Sequence, residues 1–176
     1  MDAAIAPPID MKLPWAAVLG NHDQEGTLSR EGVMRHLVGT TNSHSSFNPE
    51  GVEIDGYGNY NFAVYGVEGS PLSEKSVLNL YFLDSGDYST VSSVHGYGWI
   101  KRSQQDWFHK ICSSLQRKYM NHYPAQKEQA SGIAFFHMLL PEFSSFTAIN
   151  ITGVKQEGIS WRSTLGSFPP WWRLEM

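Results

Sequence analysis

Trp15-Ala16-Ala17-Val18-Leu19 is an apolar run, and it ends in Gly20-Asn21-His22-Asp23. An apolar run closed by a glycine turn predicts a buried strand at residues 15–19 that empties into a loop at a sheet edge. In α/β sheets, ligands sit outside the carboxyl ends of the strands. Three polar side chains at such a tip are therefore placed for chemistry. Asn21 offers a neutral carbonyl oxygen to a metal. His22 can bind or protonate a phosphate oxygen. Asp23 can hold the imidazole in one orientation, as carboxylates behind a functional histidine do. A plain polar turn after a strand is the competing reading of these four residues taken alone.

Residues 1–13 contain Pro7-Pro8 and no period, so an irregular lead-in is expected. Residues 27–38 predict a short helix, with Val33, Met34, Leu37 and Val38 at helical spacing. Residues 39–51 are rich in Ser, Thr, Asn and His and predict an exposed loop. Residues 61–65 and 76–84 are β-rich, and residues 66–75 suit a hairpin connection between them. The strongest helix is residues 103–122. Ser103 and Asp106 give a start like a capping box, and Trp107, Phe108, Ile111, Cys112, Leu115 and Tyr119 form one apolar stripe. Pro124 follows its end. Residues 131–136 predict a buried strand with His137 at its tip. From Trp161 onward the chain, including Phe168-Pro169-Pro170-Trp171-Trp172, shows no period.

The length of 176 residues suits one domain with a real core, and 41% hydrophobic content fits a globular chain. A formal charge of -4 argues against a general nucleic-acid binder. No run of 18 apolar residues predicts a membrane span. The first 20 residues lack a basic start followed by an apolar core, so a cytoplasmic location is expected. The Asn150-Ile151-Thr152 sequon is then expected to go unused. Cys112 is the only cysteine, which removes internal disulfides and Cys-rich zinc sites from consideration.

Residues 14–25 resemble the central motif of the metallophosphoesterases, most of all the plant and fungal purple-acid-phosphatase branch that carries Gly-Asn-His-Asp-Gln-Glu. Further segments resemble that branch in the right order: Gly56-Tyr57-Gly58-Asn59-Tyr60, then residues 81–88, then Tyr97-Gly98-Trp99-Ile100-Lys101, then residues 134–143 around His137. The resemblance runs from about Ala3 to Ser160. It implies an α/β fold, part of a four-layer sandwich of two β-sheets flanked by helices, lacking its first and last motif strands. Residues 1–160 would be a partial calcineurin-like domain and residues 161–176 a tail outside the family pattern. It implies a phosphoric monoester hydrolase that works with a pair of metal ions, drawn from Fe, Zn or Mn. Asn21 and His137 would be ligands of one ion. His22 would meet the phosphate or assist the leaving group, and Asp23 would orient His22. Full-length members are often secreted or vacuolar.

The sequence also departs from that pattern. The family builds its first ion on an Asp-x-His segment, bridges the ions with a Gly-Asp carboxylate ahead of the central motif, and closes the site with Gly-His-x-His. None of these occurs here; Gly86-Asp87 falls after the central motif. The expectation is weak or absent metal, no charge-transfer colour, and a chain that is impaired or inactive alone, as if truncated at both ends. The alternative is a non-catalytic fragment or isoform that binds phosphate or a phosphomonoester, or associates with itself or a partner through exposed sheet edges.

Overall fold

The structure is a computed structural model and describes residues 2–121 and 130–138. Its elements in chain order are α1 (Asp2–Asp10), a 3-10 turn (Asp23–Glu25), α2 (Arg30–Gly39), β1 (Tyr60–Tyr65), β2 (Ser76–Phe82), α3 (Arg102–Asn121) and β3 (Ser131–Phe135). The fold is α/β around a three-stranded mixed sheet ordered β1-β2-β3. β1 and β2 pair antiparallel, as the hairpin connection predicts, and β2 and β3 pair parallel.

Register decides where the core sits. Tyr60 faces Phe82, and Phe82 faces Phe135, so one aromatic row crosses the sheet. Its rings stack at 4.5 Å and 5.1 Å. Phe82 packs with Leu19, Val33, Met34 and Leu37, which puts α2 and the 15–19 run on this face. The period of two sends Asn79 and Tyr81 to the other face. There Tyr119 Oη donates to Asn79 Oδ1 at 2.8 Å and Phe108 packs on Tyr81. The predicted stripe of α3 is thus the face that covers the sheet.

Both long helices start with caps. Ser29 Oγ accepts Gly32 N at 3.2 Å ahead of α2. At α3 the reaching side chain is Gln104, whose Oε1 accepts Lys101 N at 2.7 Å. The expected partner of that start, Asp106, instead pairs with Arg102 one turn back, and Ser103 Oγ donates to Asp55.

Three expectations are corrected. Residues 15–19 are extended but form no ladder; among the described residues they make one parallel bridge, Trp15 to Ser43. Their hydrogen bonds go in part to the 40–45 loop, with His44 N on Trp15 O and Ala17 N on Ser45 Oγ, and in part to Tyr60 Oη and Arg30 Nη2, which donate to Ala17 O and Leu19 O, while the side chains still fill the core. The lead-in is helical because tertiary contacts override its prolines: Ile5 packs on the core and His36 Nε2 meets Asp2 Oδ1 at 2.8 Å. β3 is exposed rather than buried, with Ile133 46% and Phe135 41% accessible, because β2 is its one partner strand among the described residues. The four-layer sandwich was a finer expectation than the three-stranded sheet described. His122, Pro124, the 139–143 part of the last resembling segment, the sequon and the tail lie outside the described residues. Among the described residues, no helix is long and apolar enough to cross a membrane.

Candidate functional site

β2 and β3 are parallel, so their carboxyl ends open on the same side. Leu83 N continues the pairing to Phe135 O, after which Asp84-Ser85-Gly86 and Phe136-His137 diverge. The 20–25 loop arrives at this edge from the extended 15–19 run. His137 and Asn21, 116 residues apart in the chain, meet here: His137 Nε2 lies 2.8 Å from Asn21 Oδ1. Ser85 Oγ holds the far side by accepting from His137 N at 3.3 Å and Met138 N at 2.9 Å. Asn21 is buried at 7% exposure.

His22 stands beside that pair, exposed. A 3-10 turn eclipses side chains three apart, and this turn sets His22 over Glu25, with Nδ1 2.7 Å from Oε1. The carboxylate on His22 is therefore that of Glu25. The Asp23 carboxylate, expected on His22, accepts Gly20 N at 2.6 Å and closes the turn. Tyr88 Oη donates to the same Glu25 oxygen at 2.6 Å, and Tyr97 Oη sits 3.1 Å from His22 Nε2. The bond from Tyr88, and then that from His22, holds the Glu25 carboxyl below its ordinary value. The same bond pushes the Tyr88 hydroxyl up to about 12. The sign follows. Glu25 favours this arrangement above its ordinary carboxylate range, and that contribution is lost as pH falls through its lowered pKa. Tyr88 favours it below pH ~10 and loses the contribution near 12. Glu25→Gln is expected to bring the Tyr88 titration back down, read from its ring protons by NMR; an unmoved titration would contradict the contact.

Beneath the loop lies a buried ion pair. Arg30 Nε donates to both oxygens of Asp84, at 3.1 Å and 2.9 Å, and Arg30 Nη2 bonds Asp84 Oδ1 as well. Nη1 donates to Gly20 O and Gln24 Oε1, each at 2.8 Å, and Gln24 in turn donates to Asn21 O. Asp84 also accepts Tyr57 N at 2.7 Å and Gly86 N at 3.0 Å. Gly56 takes φ +80°, and a Cβ there would lie 2.7 Å from Asp84 Oδ2, so this approach needs glycine. Arg30 and Asp84 are 9% and 2% exposed. Sequence reasoning passed over Arg30, although a cation at the first residue of a helix opposes the helix dipole and signals a tertiary partner. It also passed over the tyrosine contacts, although Tyr88 and Tyr97 lie in segments it singled out.

The donor chemistry tests what metal could fit. Adjacent ligands on a six-coordinate ion with bonds near 2.1 Å lie about 3 Å apart, so Asn21 Oδ1 and His137 Nε2 fit one edge of one ion. A two-ion centre does not fit the described residues. Asp84 is neutralised by Arg30, Asp23 is turned to Gly20 N, and no group of three or more His, Cys, Asp or Glu could hold a metal ion among the described residues.

Comparison with known proteins gives concordant relatives. The chain is 52% identical over 171 residues to the Arabidopsis thaliana protein named "Probable inactive purple acid phosphatase 29", covering 96% of this chain and 44% of that protein. It is 41% identical over 162 residues to "Probable inactive purple acid phosphatase 14" of the same plant, covering 89% and 40%. It is 35% identical over 156 residues to "Phosphatase DCR2" of Saccharomyces cerevisiae, covering 86% and 25%. The chain thus spans less than half the length of these curated relatives. No protein-family profile matches it, and no solved structure does.

Proposed function

The chain belongs to the purple-acid-phosphatase type of metallophosphoesterase, and from that premise we propose that its 176 residues carry part of a phosphoric monoester hydrolase site and are catalytically impaired alone. The observation that carries this reading is the Asn21–His137 pair, 2.8 Å apart. Two neutral donors from separate segments meet at a spacing suited to one ion, and the carboxylates nearby are engaged elsewhere. Two neutral ligands hold a metal weakly and do not lower the pKa of bound water as a complete site does.

The roles follow from position. Asn21 and His137 would hold Fe, Zn or Mn. His22, with Nδ1 committed to Glu25, would present Nε2 to a phosphate oxygen. Asp23 shapes the turn that presents His22, and Glu25 orients its ring. The three-stranded sheet would be part of a four-layer sandwich, with residues 1–160 as the partial domain and 161–176 as a separate tail. Exposed Ile133 and Phe135 on β3 support the alternative of a non-catalytic chain that associates with a partner.

An aryl-phosphate assay tests the reading on the purified chain with added Zn²⁺ or Mn²⁺. Turnover is expected to match the buffer background. Turnover that depends on the metal and disappears in His22→Ala would contradict the claim of an incomplete site.

A further inference from the structure

The loop after β2 closes on itself. Ser89 N donates to Gly96 O at 2.9 Å, Gly98 N donates to Asp87 O at 2.6 Å, and Tyr88 bridges Tyr97 antiparallel. Gly86 and Gly96 take φ +83° and +100°, which the turns of this loop require. The closure sets the two tyrosines side by side, with ring centroids 5.3 Å apart. Both rings meet the His22 imidazole edge-on, at 6.1 Å and 5.6 Å.

The two hydroxyls have different commitments. Tyr88 Oη is bound to Glu25 Oε1 at 2.6 Å. Tyr97 Oη stands 3.1 Å from His22 Nε2, the ring nitrogen that Glu25 leaves available. A phenol offers one donor and acceptor lone pairs, so Tyr97 can serve either tautomer of His22 and can turn its O–H toward an arriving oxyanion. An anion with two adjacent acceptor oxygens spans the imidazole N–H and the phenol O–H together. The negative charge nearest the pair is that of Glu25, whose Oε1 already accepts from His22 and Tyr88.

We propose that Tyr97 is a second contact for the phosphoryl group, sharing a phosphate-class oxyanion with His22, and that the closed 87–98 loop exists to present it. This rests on the reading of His22 as a phosphate contact. A hydrogen bond to a charged group is among the stronger ones, so losing the hydroxyl has a measurable effect.

The test is an NMR titration of the 176-residue chain with inorganic phosphate, against chloride at matched ionic strength. The His22 and Tyr97 ring resonances are expected to shift together and saturably. Tyr97→Phe keeps the ring and removes the hydroxyl; it should weaken phosphate binding about tenfold with an unchanged melting transition. His22→Ala should abolish the shift at Tyr97, and Tyr65→Phe, at the far end of β1, should change nothing. Phosphate binding unchanged in Tyr97→Phe but lost in His22→Ala would overturn the proposal and leave the His22 reading standing. Binding unchanged in both variants, or no saturable shift in the unaltered chain, would overturn both.

Discussion

Arg30→Met is expected to destabilise the fold by about 3–5 kcal/mol, the typical cost of removing one partner of a buried ion pair. The loss is larger than that of a surface bridge because Asp84 is only 2% exposed and water cannot replace the guanidinium. Arg30 also supplies the donors for Gly20 O, Leu19 O and Gln24 Oε1. Its removal therefore releases the loop that carries Asn21 as well as stranding a carboxylate. Urea unfolding followed by circular dichroism reads the loss as a lower midpoint. Arg30→Met combined with Asp84→Asn should recover part of the stability, because it removes the stranded charge and the amide oxygen can still accept from one of Tyr57 N and Gly86 N, which bond different oxygens of Asp84. No recovery would place the cost in the 19–24 carbonyls instead of the stranded charge.

The second large effect is expected at Asn59, which is fully buried at 0% exposure. Its Nδ2 donates to Asn48 Oδ1 and Asp55 O, each at 2.9 Å. Its Oδ1 accepts from Asp84 N at 3.1 Å and Gln104 Nε2 at 2.7 Å. One amide thereby ties the 48–55 loop, the end of β2 and the start of α3 together. Asn59→Ala leaves several of these groups without partners inside the protein, at about 1–3 kcal/mol for each one that stays dry. A total near 3–4 kcal/mol is expected, and a loss under about 1 kcal/mol would show that water enters and replaces the amide. Because Arg30 and Asn59 both act on Asp84, the double variant should lose less than the sum of the singles.

Local signals located most elements. The β-rich composition that marks β1 and β2 and the stripe that marks α3 are written in consecutive residues, and both survive folding. Partners distant in sequence were less legible. Residues 15–19 read as a strand because their apolarity is visible, whereas a ladder depends on neighbours that local pattern does not reveal. The contact of Arg30 with Asp84 spans 54 positions, and only the unfavourable placement of a cation at a helix start hinted at it. The carboxylate on His22 was misread for a local reason. A loop leaves the choice between Asp23 and Glu25 open, and the 3-10 turn settles it by eclipsing residues three apart. The approach of Asn21 to His137 was legible through family resemblance, since neither periodicity nor composition joins positions 116 apart.

Asn21 and His137 are proposed to form a partial, weak metal site. Elemental analysis of the purified, monomeric 176-residue chain, beside its His137→Ala variant, tests it most directly. Well under one metal ion per chain is expected, falling to background in the variant. About two ions per chain, or a metal content that His137→Ala leaves unchanged, would contradict it.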